Sequence, residues 1–165
     1  FLQQGSSILD FGCGSGRDTR YFLEKGYHVV ATDGSEELCK VASAYTGVQV
    51  RKLLFQELQD ENCYDGIWAC SSILHAGRTE QPDIFRRMIL ALKEQGYIYT
   101  SFKYGTFEGF REERYFTDFD EAGFRDFIRA FPELTIEKMW VSADVRPERS
   151  NEKWLNIILR KSIIS

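Results

Sequence analysis

Apolar positions along this chain alternate between a short-run pattern and a helical period, and that alternation predicts the architecture. Residues 7–11 (Ser7-Ile8-Leu9-Asp10-Phe11) read as a strand, and 17–25 as a helix that Gly26 ends in a left-handed cap. His28 to Thr32 is a second strand. Ser35 suits a helix N-cap, with Glu36 and Glu37 at the electropositive start. That helix passes through Leu38, Val41 and Ala42 to Tyr45, and Gly47 ends it. Val48–Leu54 predicts a third strand and Tyr64–Cys70 a fourth.

Pro82 suits a first helical position, and Phe85, Met88, Ile89 and Leu92 then recur at the spacing of one helix face. Gly96 is the expected end of that helix, and Tyr97–Lys103 the fifth strand. Residues 104–117 read as a polar and aromatic loop. Phe124, Phe127, Ile128 and Phe131 mark another helical face, closed by Pro132. Leu134–Val145 and Trp154–Arg160 are two strands joined by a polar turn around Pro147 and Ser150, a connection too short for a parallel crossover. The expected fold is α/β, a Rossmann-like, doubly wound, mostly parallel seven-stranded sheet with an antiparallel C-terminal hairpin, in one domain spanning 1–165.

Composition narrows the function classes. A chain of 165 residues with 43% hydrophobic positions is long enough for one sizeable core. No stretch approaches the ~20 apolar residues needed to span a bilayer. A net charge of −4 without a basic run argues against a dedicated nucleic-acid surface. Cys13, Cys39, Cys63 and Cys70 form no C-x-x-C pair, and His28 and His75 are the only histidines. Neither a structural zinc site nor a disulfide framework is expected, no metal is assigned, and a cytoplasmic location is.

The candidate chemistry begins at Asp10-Phe11-Gly12-Cys13-Gly14-Ser15-Gly16-Arg17. A strand, a bare-backbone turn and a helix start make a nucleoside cradle, because glycines admit a ligand where a Cβ would collide. Asp33, at the end of the second strand, can accept from two ribose hydroxyls. A dinucleotide fingerprint needs G-x-G-x-x-G, but Arg17 stands at its third position and Gly16 comes one residue early. The bland alternative is a glycine-rich turn with no ligand.

With this spacing the chain resembles the class I S-adenosylmethionine-dependent methyltransferases. The matching segments are Ile8–Gly16, Asp33, Tyr64-Asp65-Gly66-Ile67-Trp68-Ala69-Cys70, Leu92-Lys93-Glu94-Gln95-Gly96-Tyr97 and the final hairpin. The run Trp68-Ala69-Cys70-Ser71-Ser72-Ile73-Leu74-His75 is similar to a subgroup of small bacterial enzymes of the type-11/12, tellurite-resistance-like kind.

The resemblance implies a set of roles. The cofactor is S-adenosyl-L-methionine, leaving as S-adenosyl-L-homocysteine. Gly12, Cys13, Gly14, Gly16 and Arg17 would approach its methionine part, with Asp10 near the amino group. Asp33 would bind the ribose, with Ser35 beside it and Gly34 leaving room for the adenine. In Phe55-Gln56-Glu57-Leu58, Gln56 stands where an acid reading the adenine amino group is expected, so that role can slide to Glu57. Ala69, Cys70 and Ser71 would flank the sulfonium, Cys70 as a small packing residue rather than a nucleophile. His75 either takes a proton from the acceptor or contacts the cofactor and caps the next loop.

Tyr104 is a second candidate catalytic group. Lys103, Arg111, Arg114 and Tyr115 either hold an anionic or aromatic acceptor or form a solvated face whose arginines pair with Glu112 or Glu113. Methyl transfer from a sulfonium is mainly a matter of alignment, so no metal or catalytic dyad is required. The leading expectation is a methyltransferase for a small molecule. The alternatives are a non-catalytic nucleoside-binding domain and an NAD-dependent oxidoreductase. Relatives usually carry a helical segment before the first strand, so the chain is expected to be part of a longer one.

Overall fold

In the computed structural model, which describes residues 1–143 and 152–163, the chain opens with β1 (Ser7–Phe11), α1 (Arg17–Glu24), β2 (His28–Asp33), α2 (Glu36–Thr46) and β3 (Arg51–Lys52). It continues with a 3-10 turn (Phe55–Glu57), β4 (Tyr64–Ala69), a second 3-10 turn (Ile73–His75), α3 (Gln81–Ala91) and β5 (Leu92–Lys103). β6 (Glu108–Arg111), β7 (Arg114–Thr117), α4 (Glu121–Ile128), β8 (Leu134–Ala143) and β9 (Lys153–Lys161) complete it. One seven-stranded sheet has the order β3-β2-β1-β4-β5-β9-β8; its first four pairings are parallel and the last two antiparallel. The expected mixed α/β sheet with its terminal hairpin is therefore present. The turn around Pro147 and Ser150, with Val145, lies outside the described residues.

Right-handed crossovers explain the layers. The steps β1-α1-β2 and β2-α2-β3 move toward one edge and place α1 and α2 on one face. The step β4-α3-β5 moves the other way and places α3 on the opposite face. There Phe85 of α3 meets Phe124 and Phe127 of α4 and Phe131, over Ile98 and Phe102 of β5. On the first face Trp68 stacks on Tyr99 at 4.2 Å, and its indole N–H donates to Asp18 of α1 at 2.9 Å.

Three expected boundaries move, each for a local reason. The third strand shrinks from 48–54 to two residues because the amides of Val48 and Val50 donate to Thr46 Oγ1 and Ser43 Oγ of α2, not to β2. The helix expected to end at Gly96 ends at Ala91. Leu92 pairs with Tyr64 and Tyr97 with Gly66, so the residues between bulge out of the strand, with Gln95 left-handed at φ 64°. Lys161 holds that transition: its buried ammonium donates to the carbonyls of Ile89 and Leu92 at 2.7 and 2.8 Å. The loop expected over 104–117 contains the antiparallel pair β6-β7, with Glu112 left-handed at the turn.

Lys161→Met is expected to lower stability by about 2 kcal/mol, because it removes charge-assisted bonds and leaves two helix-end carbonyls unsatisfied. Urea unfolding at neutral pH measures it; an unchanged midpoint would show that water caps α3 equally well.

Candidate functional site

The carboxyl ends of β1, β2, β4 and β5 converge where the parallel strands switch direction, the usual ligand position in an open α/β sheet. After β1 the backbone folds over the end of β2: the amides of Gly12 and Cys13 both donate to the Thr32 carbonyl, at 3.0 and 2.8 Å. Gly12 is left-handed at φ 83°, and a Cβ there would lie 2.6 Å from the Cβ of Ser72. Gly16 caps α1 at φ 94°, where a Cβ would lie 2.8 Å from Thr46 and 3.1 Å from Ala42 of α2. Gly14, also left-handed, has nothing within 4 Å of its missing Cβ. The outer glycines thus serve packing, and the middle one leaves open space.

Asp33 adjoins that space. One carboxylate oxygen accepts from the Gly14 amide at 3.0 Å, the other from the Ser35 amide at 2.9 Å. Each oxygen keeps acceptor capacity for another donor. A glycine turn open at Gly14 beside a half-satisfied carboxylate fits a nucleoside bearing vicinal hydroxyls. Gly34 departs from expectation: the space beside it is taken by Leu54, 3.2 Å from where its Cβ would be and half exposed. Ser35 spends its hydroxyl capping the Leu38 amide of α2.

Asp10 lies beneath the turn, buried, with Thr19 of α1 donating to it at 2.5 Å. Burial pushes its pKa from 3.8 up to about 7, against the Thr19 bond, with Asp18 and Asp33 raising it further. Cys13 is pushed up to about 12 by burial and by Asp10 and Asp33, so it stays a thiol. Arg17 projects outward, paired with Asp18 at 3.3 Å.

Glu57 accepts from the Leu54 amide at 2.7 Å, closing the 3-10 turn, and the Leu58 side chain is buried in the core. Gln56 and Glu57 are both exposed. At the end of β4, Ala69 is fully buried and offers only its backbone. Burial raises the Cys70 pKa, which suits packing rather than nucleophilic attack. Ser71 is left-handed at φ 52°, its amide donating to Ser101 Oγ at 2.8 Å. Ser72 was not anticipated; its buried hydroxyl has no hydrogen-bond partner among the described residues and lies against Gly12. Its signal was only its place one turn past a strand end.

The segment after β5 is less open than its composition suggests. Arg111 makes a two-pronged pair with buried Asp118, at 2.9 and 2.5 Å, with its guanidinium between Phe107 and Phe116. It therefore pairs with neither Glu112 nor Glu113, and it is not free for an acceptor. Lys103 lies 3.3 Å from Glu152 and over the Phe116 and Trp154 rings. Tyr115 donates its hydroxyl to Glu108 at 2.8 Å. Tyr104 donates to Glu121, a bond that raises its pKa and so opposes a role as base. Arg114 is exposed. His75 Nδ1 sits 3.0 Å from the Tyr115 carbonyl, which docks the β6-β7 hairpin onto the end of β4.

The family described as Methyltransferase domain matches residues 8–96, more than half of the chain. A Burkholderia thailandensis 1,6-didemethyltoxoflavin-N1-methyltransferase, solved with 1,6-didemethyltoxoflavin and S-adenosylhomocysteine, is 25% identical with a TM-score of 0.81. That match covers 97% of this chain and 72% of the other. A Methanosarcina mazei S-adenosylmethionine-dependent methyltransferase shares the fold at TM-score 0.85 and 18% identity, over 99% of this chain and 96% of its own. One from Mesorhizobium loti does so at 0.77 and 19%, over 96% and 92%. No curated protein matches the sequence.

Proposed function

Because the chain belongs to the methyltransferase domain family and is an S-adenosylmethionine-dependent methyltransferase, we propose that it methylates a small-molecule acceptor by in-line displacement at the carboxyl ends of β4 and β5. The cofactor supplies a methyl group activated by its sulfonium. Asp33 holds the ribose hydroxyls, the open backbone at Gly14 meets the methionine part in a turn shaped by Gly12, Cys13 and Gly16, Asp10 sets the charge beneath it, and Arg17 stands at its outer rim. Leu54 and Gly34 flank the adenine, with Gln56 at its edge. The backbone of Ala69, with Cys70 and Ser71, borders the reacting centre.

The observation that carries this reading is the Asp33 carboxylate: tied to the Gly14 amide, beside open space, with acceptor capacity left on both oxygens. Asp33→Ala is expected to weaken S-adenosylhomocysteine binding by ~1–3 kcal/mol, through loss of charge-assisted hydrogen bonds. Calorimetric titration measures it, with thermal unfolding as the control for the turn. Unchanged affinity would remove Asp33 from the ribose.

A small acceptor fits a chain of net charge −4 whose cations Lys103 on β5 and Arg111 on β6 are already paired. The similar Burkholderia enzyme was solved with a small heterocycle, which supports the same class. The same reading takes 1–165 as one cofactor-binding domain, and its place among the type-11/12, tellurite-resistance-like enzymes rests on the Trp68–His75 run. Cytoplasmic location belongs to the proposal too; among the described residues no helix is long and apolar enough to cross a membrane.

A further inference from the structure

His75 is placed and prepared in a way that docking the hairpin does not require. Its Nδ1 faces the Tyr115 carbonyl at 3.0 Å. A carbonyl only accepts, so Nδ1 carries the proton and Nε2 keeps its lone pair. Among the described residues Nε2 has no hydrogen-bond partner. The imidazole stands edge-on to Phe116, ring centres 4.6 Å apart. Its short turn runs from Ser72, which lies against Gly12 of the glycine turn, to the β6-β7 hairpin. His75 thus links the glycine-turn end of the site to the β6-β7 hairpin.

The charges nearby point to the kind of acceptor. Lys103 on β5 and Arg114 on β7 are the charged groups that act on His75. Lys103 is paired with Glu152, Arg111 with Asp118 and Arg78 with Glu108. Three of these four cations are thereby neutralised within the fold, which is a poor arrangement for capturing an anion. Aromatic rings are exposed on the same segment instead, at Tyr104, Phe107 and Phe110, although Arg111 covers one face of Phe107.

We infer that His75 is the general base of the methyl transfer, and that the acceptor is a flat, uncharged molecule with a weakly acidic N–H or O–H. This rests on placing the acceptor at the ends of β4 and β5. The acceptor proton moves to Nε2, and the electron pair it leaves forms the bond to the methyl carbon. That attack displaces the sulfur, which keeps the pair of the broken C–S bond, and the imidazolium returns its proton to water. The ring is ready for this at neutral pH: burial lowers its pKa from 6.5 and Arg114 and Lys103 lower it further, against the raising effect of the Tyr115 bond.

The test uses His75→Asn, whose amide keeps a donor to the Tyr115 carbonyl but supplies no base. Probes are 1,6-didemethyltoxoflavin and a series of flat phenols of graded acidity, with the whole chain and S-adenosylmethionine. General-base catalysis contributes about 10²–10⁴-fold, so kcat on un-ionised probes should fall about 100-fold or more. KM should stay within about threefold, because no ground-state contact is lost. The loss should shrink on phenols already ionised, and the acid limb of the wild-type pH profile should vanish. Nitrogen-15 NMR of the ligand-free chain should show His75 protonated at Nδ1 and titrating below 6.5; His28→Gln assigns the signals. A variant keeping a third or more of kcat, or an Nδ1 without its proton, overturns the base. A wild-type chain that methylates only ionised probes, or none, overturns the acceptor class. S-adenosylhomocysteine titration keeps the two levels apart: tight binding without turnover leaves the cofactor site standing, whereas no binding removes it.

Discussion

Arg111→Met is expected to destabilise the protein by about 2–3 kcal/mol and to leave acceptor KM nearly unchanged. Asp118 is 2% exposed and meets both guanidinium prongs of Arg111, which itself lies between Phe107 and Phe116. Removing one partner of a buried pair strands the other charge, typically at ~3–5 kcal/mol. Arg111 is about a third exposed, so water already screens part of the pair and the lower value applies. Urea unfolding measures the loss, and Arg111→Met with Asp118→Leu should recover most of it, because the double change leaves no stranded carboxylate. An acceptor-binding arginine behaves in the opposite way, with stability kept and KM raised many-fold.

That contrast shows where sequence ceased to inform. The arginine's neighbours in the chain are Glu112 and Glu113, and short-range reading pairs it with them. The hairpin instead sets Arg111 opposite Arg114 and puts both glutamates in the turn, while Asp118 arrives from beyond β7. Pairing across a fold is not local information. The glycine turn was legible as a turn because it is local: Asp10 through Gly16 is one strand end and one turn, and Asp33 ends the strand paired beside it. Leu92 misled because a buried strand residue stood at the next helical spacing after Met88 and Ile89. Val48 and Val50 misled because strand propensity cannot foresee that hydroxyls of α2 would take their amides. Ser72 and Leu54 owe their place to space left by Gly12 and Gly34, which only the folded contacts reveal.

Asp10→Asn should make the protein more stable above neutral pH and bind the cofactor less well. Asp10 has a folded pKa of about 7 against an ordinary 3.8, chiefly because burial penalises its charge. Between those values the folded chain holds a proton that the unfolded chain has lost, so stability falls as pH rises from about 4 to 7 and is level beyond. A shift of this size corresponds to about 4 kcal/mol at ~1.4 per unit. Asparagine keeps an acceptor for Thr19 and never ionises, so its advantage should be small at pH 5 and greatest at pH 8. Urea unfolding at the two pH values reads the difference; equal effects would mean that Asp10 is ionised throughout. The cost falls on binding. A cofactor ammonium within ~4–6 Å of the carboxyl would pull its pKa down by ~1–3 units. S-adenosylhomocysteine binding near pH 6.5 should then expel a proton from the wild type and none from Asp10→Asn, read by calorimetry in buffers of different ionisation enthalpy. A carboxyl buried beneath a glycine turn is thus a stability defect that the ligand's own charge relieves, and equal proton release in the two proteins would place the ammonium elsewhere.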